Sequence, residues 1–277
     1  MKKALLLFIC VFSIISCTKK QYGFPEQFAS EISNNEPSSY KFVILDYDTV
    51  APIIEYTANN QIFYMALDTG SSTNILLRPK LDSLVSADIM KNAEQYDPYT
   101  TERLTINFDE ESLLYTIDPL GKFSTGKKYN YFDGFLGQEY LMQFNNVVFD
   151  YVNNKFSVNQ QPICEKSLPM YKHKEYNIFL TDVTINEEKT RAIIDTGNKF
   201  NFFNKTKNQS TNYNKEKAVS LQIGDVNYEN MIIGHTGKLI TNKKALEIIA
   251  NENIIGYPCF KDHIIQFDYE HNVFRIK

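Results

Sequence analysis

Tryptophan is absent from the 277 residues, and cysteine and histidine are scarce, with four of each. These absences exclude whole classes of site. No Cys-x-x-Cys pair and no paired Cys/His spacing occurs, which argues against a structural zinc site. His-Glu-x-x-His and Gly-x-Ser-x-Gly are both missing, and with them the metalloprotease helix and the serine-hydrolase elbow. His173, His235, His263 and His271 are scattered and read as surface or structural residues. Gly234-His235-Thr236-Gly237-Lys238 lacks the spacing and the following Ser/Thr of a phosphate loop, and reads as a turn. Nor does charge of one sign accumulate. Lys and Arg number 29 against 33 Asp and Glu, for a net charge of −4, so no basic stretch is available to hold nucleic acid. A sustained 3.6-residue period is missing too; the helix candidates are short, at 83–93 and 243–250. What is abundant is aromatic surface, 20 Phe and 18 Tyr, enough to fill a core and line a cleft.

The chain opens MKKALLLFICVFSIISCTKK, a positive start and an apolar run too short for the ~20 residues of a membrane span. It has the form of a secretory signal. Ile14-Ile15-Ser16-Cys17 resembles the lipobox of bacterial lipoproteins, which implies a signal over 1–16, cleavage before Cys17 and lipidation of that cysteine. Ordinary signal cleavage nearby, with Cys17 incidental, is the plainer alternative. The resemblance implies an exported protein held to the cell envelope by acyl chains. Loss of Lys2 and Lys3 with the signal moves the net charge from −4 to −6. The polar stretch that follows, 17–39, reads as a flexible tether. Past Cys17 only Cys164 and Cys259 remain, and they could equally form a disulfide or stay as two free thiols.

The rest of the chain repeats itself. Residues 65–73 read MALDTGSST, and 192–200 read AIIDTGNKF, so that Asp195 follows Asp68 by 127 positions. FDGFLGQEYL at 132–141 and NIIGYPCF at 253–260 each place two apolar residues before a glycine, Gly137 and Gly256, 119 positions apart. Each copy closes on a matching strand, VVFDYVNNKFSV (147–158) and IIQFDYEHNVFRI (264–276), in which Asp150 and Asp268 are 118 apart. Ahead of each Asp-Thr-Gly, residues 52–67 and 177–194 read as hairpins turning at Asn59-Asn60 and at Asn186-Glu187-Glu188. The second strand of each hairpin delivers the aspartate. Two lobes of one ancestry are expected at 40–158 and 177–277, joined by a polar connector at 159–176.

This pattern, apolar-Asp-Thr-Gly twice with an apolar-apolar-Gly segment after each, resembles the aspartic proteases of the pepsin and retropepsin group. The resemblance covers nearly all of the chain past the tether. It implies an all-β fold of two similar lobes with few short helices and the active-site cleft between them. It implies Asp68 and Asp195 as a catalytic pair, with one carboxylate activating water and its protonated mate donating to the substrate carbonyl. Two carboxyls a few ångström apart cannot both ionise cheaply, so such a pair titrates as a unit. Gly70 and Gly197 give the loops close approach. By the resemblance, Thr69 and Thr196 brace the loops across the lobes, and Gly137 and Gly256 belong to segments that buttress them. Ser71 stands where its hydroxyl can donate to the outer carboxylate oxygen. Asn198 departs from the Ser, Thr or Ala usual at that position in the second lobe, but an amide can still donate. A cover for the cleft is expected near 94–102, where Tyr96 or Tyr99 could lie over it; an ordinary loop with exposed tyrosines is the plainer reading.

The function implied is that of an aspartic endopeptidase needing no cofactor and no metal, acting on a peptide or protein as a monomer. The alternative is a non-catalytic peptide-binding or assembly lipoprotein on the same fold. Against it, a scaffold has little use for two carboxylates forced together at an energetic cost.

Overall fold

The computed structural model of the chain describes residues 38–44, 51–58, 61–76, 93–95, 103–108, 111–117, 133–199, 201–203, 216–234 and 252–277. Among the described residues the fold is mostly β, with very few helical turns. The first lobe runs β1 (Ser38–Val43), β2 (Ile53–Ala58), β3 (Gln61–Leu67), β4 (Ile75–Leu76), β5 (Ala93–Gln95), β6 (Arg103–Phe108), β7 (Glu111–Ile117), β8 (Gly134–Leu136), a single helical turn α1 (Gln138–Leu141), β9 (Asn146–Asp150) and β10 (Lys155–Val158). The second runs β11 (Leu168–Lys172), β12 (Phe179–Ile185), β13 (Glu188–Ile194), β14 (Asn201–Phe202), β15 (Glu216–Ile223), β16 (Val226–Gly234), β17 (Asn253–Ile255), a 3-10 turn at Tyr257–Cys259, β18 (Ile264–Asp268) and β19 (Val273–Ile276).

Both expected hairpins form. β2 pairs antiparallel with β3, and β12 with β13. Asn186 and Glu187 turn the second hairpin with φ of 49° and 68°, the double positive-φ pair that matches strand twist in a two-residue turn. Glu188, expected in the turn, instead opens β13. Along β13 the first four residues are polar and lie at the surface, whereas Ala192, Ile193 and Ile194 are buried. The strand therefore runs from solvent into the core; β3 likewise reaches the core through Met65, Ala66 and Leu67, and each strand ends on its aspartate.

The core end of each strand is trapped by a second segment. β8 lies parallel to β3, Leu67 opposite Leu136, and β17 lies parallel to β13, Ile194 opposite Ile255. β4 and β14 then return antiparallel on the far side of β8 and β17. The two lobes are thus copies in topology as well as in sequence.

The lobes join through one sheet ordered β1-β10-β9-β18-β19-β11. Its centre is the antiparallel pair β9 and β18, registered from Asp150 opposite Ile264 to Asn146 opposite Asp268. Phe149 meets Phe267 edge-on at 6.0 Å across this seam, and Phe156 and Phe274 extend the buried layer to either side. Each such ring contributes about 1.5–3 kcal/mol on leaving water, which makes the seam a hydrophobic union. The closing segments, expected as single matching strands, are hairpins, β9–β10 and β18–β19. Asn154 (φ 52°) and Asn272 (φ 54°) turn them at equivalent positions, because an asparagine side chain tolerates the left-handed region.

The expected connector 159–176 is more than a link. It contains β11, which pairs with both β19 and β12, because alternate positions such as Met170 pack into the second lobe. Cys164 and Cys259 are free thiols, the first half-buried and the second fully buried. Of the expected cover, Glu94 and Gln95 lie on β5 and oppose Thr105 and Leu104 on β6. The rest of that stretch, with Tyr96 and Tyr99, lies outside the described residues, as do the signal segment, Cys17, the tether to residue 37 and both helix candidates apart from Ala93, which is on β5.

Candidate active site

Asp68 leaves β3 and Asp195 leaves β13, and the structure brings the two loops face to face at the junction of the lobes. Thr69 N–H donates to Thr196 Oγ1 at 3.0 Å, and Thr196 N–H donates to Thr69 Oγ1 at 3.0 Å. Each hydroxyl then donates onward to the opposite strand, Thr69 to the Ile194 carbonyl at 2.7 Å and Thr196 to the Leu67 carbonyl at 2.9 Å. Two hydrogen bonds between the fully buried threonines, and two more from their hydroxyls to the opposite strands, leave the loops almost no freedom to slide.

The aspartates are as closely held. Gly70 N–H donates to Asp68 Oδ1 at 2.9 Å, and Gly197 N–H to Asp195 Oδ1 at 3.0 Å. Asn198 also donates its side chain to Asp195, so the amide fills the donor role expected of the smaller residues it replaces. Ser71 differs from expectation: its hydroxyl donates to the Thr73 carbonyl at 2.7 Å, and its backbone N–H donates to the Asp68 backbone carbonyl at 3.1 Å. A side chain that closes a local turn is the shorter reach here. Lys199 is half-buried next to Asn198.

The two carboxyls hydrogen-bond each other. Such a contact is a hydrogen bond only while one member carries a proton, and Asp68 Oδ2 is buried with no N–H or hydroxyl group in reach. Burial pushes the Asp68 carboxyl up to about 6, with the Asp195 bond and the Gly70 and Ser71 N–H groups pulling down. Burial, and then repulsion from Asp68, lifts Asp195 well above the usual carboxylate range. The phenol of Tyr151, after β9, senses both aspartates electrostatically; burial is the main reason it too lies well above its ordinary value.

Behind each loop the glycine-bearing segment is pinned in the same way. Asp68 N–H donates to the Leu136 carbonyl and Asp195 N–H to the Ile255 carbonyl, each at 3.0 Å. Gln138 N–H returns to the Ser71 carbonyl and Tyr257 N–H to the Asn198 carbonyl, each at 2.8 Å. Gly137 N–H donates to Asn74 Oδ1 at 3.0 Å, and Gly256 N–H to Asn201 Oδ1 at 2.8 Å. At Gly137 a Cβ would lie 2.4 Å from the Thr73 carbonyl oxygen, so no larger residue fits there. Sequence reading missed Asn74 and Asn201, although the signal was present: each follows its aspartate by six positions and they share the 127-residue offset.

Among the described residues no three His, Cys, Asp or Glu side chains gather at metal-binding distance. A cavity of about 500 Å³ lined by Lys166, Asp182, Lys189 and Arg191 opens elsewhere on the second lobe, and no residue of either Asp-Thr-Gly loop lines it.

No protein-family model matches this sequence, and no curated protein's sequence matches it. The architecture does have a counterpart, the crystal structure of the aspartic proteinase from Irpex lacteus, at a TM-score of 0.50 over 87% of this chain and 97% of that one. The fold is that of a pepsin-like aspartic proteinase. The two chains share 11% of their residues, so the pepsin-like likeness is one of fold.

Proposed function

We propose that the protein is an aspartic endopeptidase. The observation that carries this reading is the buried, mutually hydrogen-bonded pair Asp68 and Asp195, raised in pKa by burial and locked by the Thr69–Thr196 brace. A single shared proton gives the pair both halves of the chemistry. The ionised carboxylate takes a proton from water as its oxygen bonds to the peptide carbonyl carbon, and the protonated mate donates to the carbonyl oxygen. Collapse of the tetrahedral adduct breaks the C–N bond: one carboxyl passes its proton to the leaving nitrogen while an adduct hydroxyl returns a proton to the other. An amine and a carboxylic acid result, and the dyad returns to its starting state. Thr69, Gly70, Thr196, Gly197 and Asn198 hold the carboxyls in place; Gly137 and Gly256, with Ser71, hold the loops.

The signal-like segment and Cys17 support an exported protein, lipid-anchored to the bacterial cell envelope, that meets peptide or protein substrate as a monomer. Incubation of a soluble form lacking the signal and Cys17 with a diverse peptide mixture, from about pH 3 to about pH 8, tests the reading. New internal cleavage products support it. A folded chain that cuts nothing across the range overturns it and leaves peptide binding as the function of the fold.

A further inference from the structure

The threonine brace is not the sole link between the lobes at the dyad. Gln138, the first residue of α1, is completely buried and uses three of its polar groups on the site. Its N–H donates to the Ser71 carbonyl at 2.8 Å, and its side-chain Nε2 donates to the Thr69 carbonyl at 2.9 Å. These two carbonyls flank Gly70, the residue whose N–H holds Asp68 and whose Cα faces Asp195. The amide orientation follows from chemistry: the Thr69 carbonyl can only accept, so Nε2 points to it and Oε1 points away. Oε1 accepts from the Tyr269 hydroxyl at 3.0 Å.

Tyr269 belongs to the other lobe, in the turn after β18, and that turn is clamped to the first lobe by N–H bonds from Tyr269 and Glu270 to the Asn145 carbonyl. Its ring stacks on Phe267 and leans on Phe179. Burial holds the phenol above its ordinary value, so the donor stays protonated at any working pH. The residue equivalent to Gln138 in the second lobe is Tyr257, 119 positions on, which carries no amide. The threonine brace is two-fold symmetric; this second link pairs an amide with a phenol and grips the Asp68 loop.

We infer that Gln138 and Tyr269 are positioning residues for the dyad: a relay from the second lobe through an amide to the Asp68 loop that fixes the separation of the two carboxyls. The inference rests on the proteolytic reading for its consequence in catalysis, and on geometry alone for its consequence at the carboxyls. The closer the pair is held, the further apart its two apparent pKa values lie. Loosening the relay brings them together. The titratable groups around the pair are Asp68, Asp195 and the Tyr151 phenol, the last with Tyr257 beside it; none of them is altered in the variants below.

The experiment is a titration of the aspartate carboxyl carbons by NMR in ¹³C-labelled protein, for wild type, Gln138→Leu and Tyr269→Phe, with peptide cleavage followed in parallel. Gln138→Leu is expected to narrow the separation of the two apparent pKa values by about one unit or more and to lower kcat by about tenfold with little change in KM. Tyr269→Phe, which removes one hydroxyl and keeps the ring, is expected to shift both readings in the same direction by a smaller amount. The double variant should resemble Gln138→Leu, since the hydroxyl acts through the amide. If Gln138→Leu does not fold, Tyr269→Phe decides alone. A folded Gln138→Leu, or failing that Tyr269→Phe, with both carboxyl pKa values unchanged overturns the relay, even where its thermal stability has dropped. The titration needs no turnover, so wild type that cleaves nothing sinks the proteolytic reading without touching this one.

Discussion

Gly70 and Asp195 stand so close across the lobe junction that a methyl group on the glycine would lie 2.3 Å from the aspartate's carboxyl carbon. The reciprocal pair repeats the relation, with a methyl on Gly197 lying 2.6 Å from the carboxyl carbon of Asp68. Each glycine is small because the opposite carboxyl occupies the place of its side chain. Gly70→Ala or Gly197→Ala must therefore push a carboxyl held by an N–H bond at its base, or push the loops apart. The expected outcome is loss of about 100-fold or more in kcat, since displacement of a reacting group by ~1 Å costs about that much, with stability lowered by about 1–3 kcal/mol. Steady-state kinetics and urea midpoints on the same preparations check both.

The hydroxyls of Thr69 and Thr196 each accept one N–H and donate to one carbonyl. Valine keeps the shape and removes both bonds, leaving a buried N–H and a buried carbonyl without partners. Thr69→Val and Thr196→Val should each cost about 2–5 kcal/mol in urea unfolding. Because the two hydroxyls form one network, the double variant should cost less than the two single losses added together. Additive losses would show the four bonds to be independent.

Acid should stabilise this site relative to neutrality. A folded Asp68 near 6, against an ordinary value of 3.8, binds its proton more tightly in the fold than in the unfolded chain. The unfolded state then holds fewer protons, so the pair's contribution to stability falls as pH rises from about 4 through 6, and it is most favourable below about 4. The size is roughly 3 kcal/mol, and the raised Asp195 acts in the same direction. Asp195→Asn removes the like charge and should be more stable than wild type at pH 7, with the difference vanishing below about pH 4. Chemical denaturation at the two pH values measures it; a difference that grows on acidification contradicts the assignment.

Asn74 and Asn201 each satisfy the buried N–H of a buttressing glycine. Asn74→Ala and Asn201→Ala leave those donors unpaired and should cost about 1–3 kcal/mol each, with lowered kcat because the loop above each glycine loses its support. Asn→Asp at either site keeps the acceptor and should recover part of the stability.

The repeat carried most of the architecture in plain view. Asp-Thr-Gly, Gly137 and Gly256, and the two hairpins are short local patterns, and copying them at near-constant offsets marks two lobes without any knowledge of contacts. What stayed hidden depends on partners distant in sequence. The seam registers Asp150 against Ile264 through strands more than a hundred residues apart, and nothing within either strand specifies the other. Gln138 reads as an ordinary polar residue after a glycine until Tyr269 and the Thr69 carbonyl are seen on its two ends. Ser71 sits where a carboxylate donor was expected, yet the Thr73 carbonyl two residues on takes its hydroxyl. The polar connector hid β11 because Met170 is its one fully buried residue and the strand completes sheets built from other segments. Asn74 and Asn201 were legible in principle, as identical residues at the repeat offset, but a lone asparagine six positions after each aspartate carries no motif.

The proposed function makes Asp68 and Asp195 two halves of one catalytic unit. It is tested most directly by comparing wild type with Asp68→Asn and Asp195→Asn in peptide cleavage from about pH 3 to about pH 8, with circular dichroism to establish that all three are folded. Wild type is expected to cleave, and each single variant to lose cleavage by several orders of magnitude, because one carboxyl cannot serve as both acid and base. Full activity in either folded variant would contradict it.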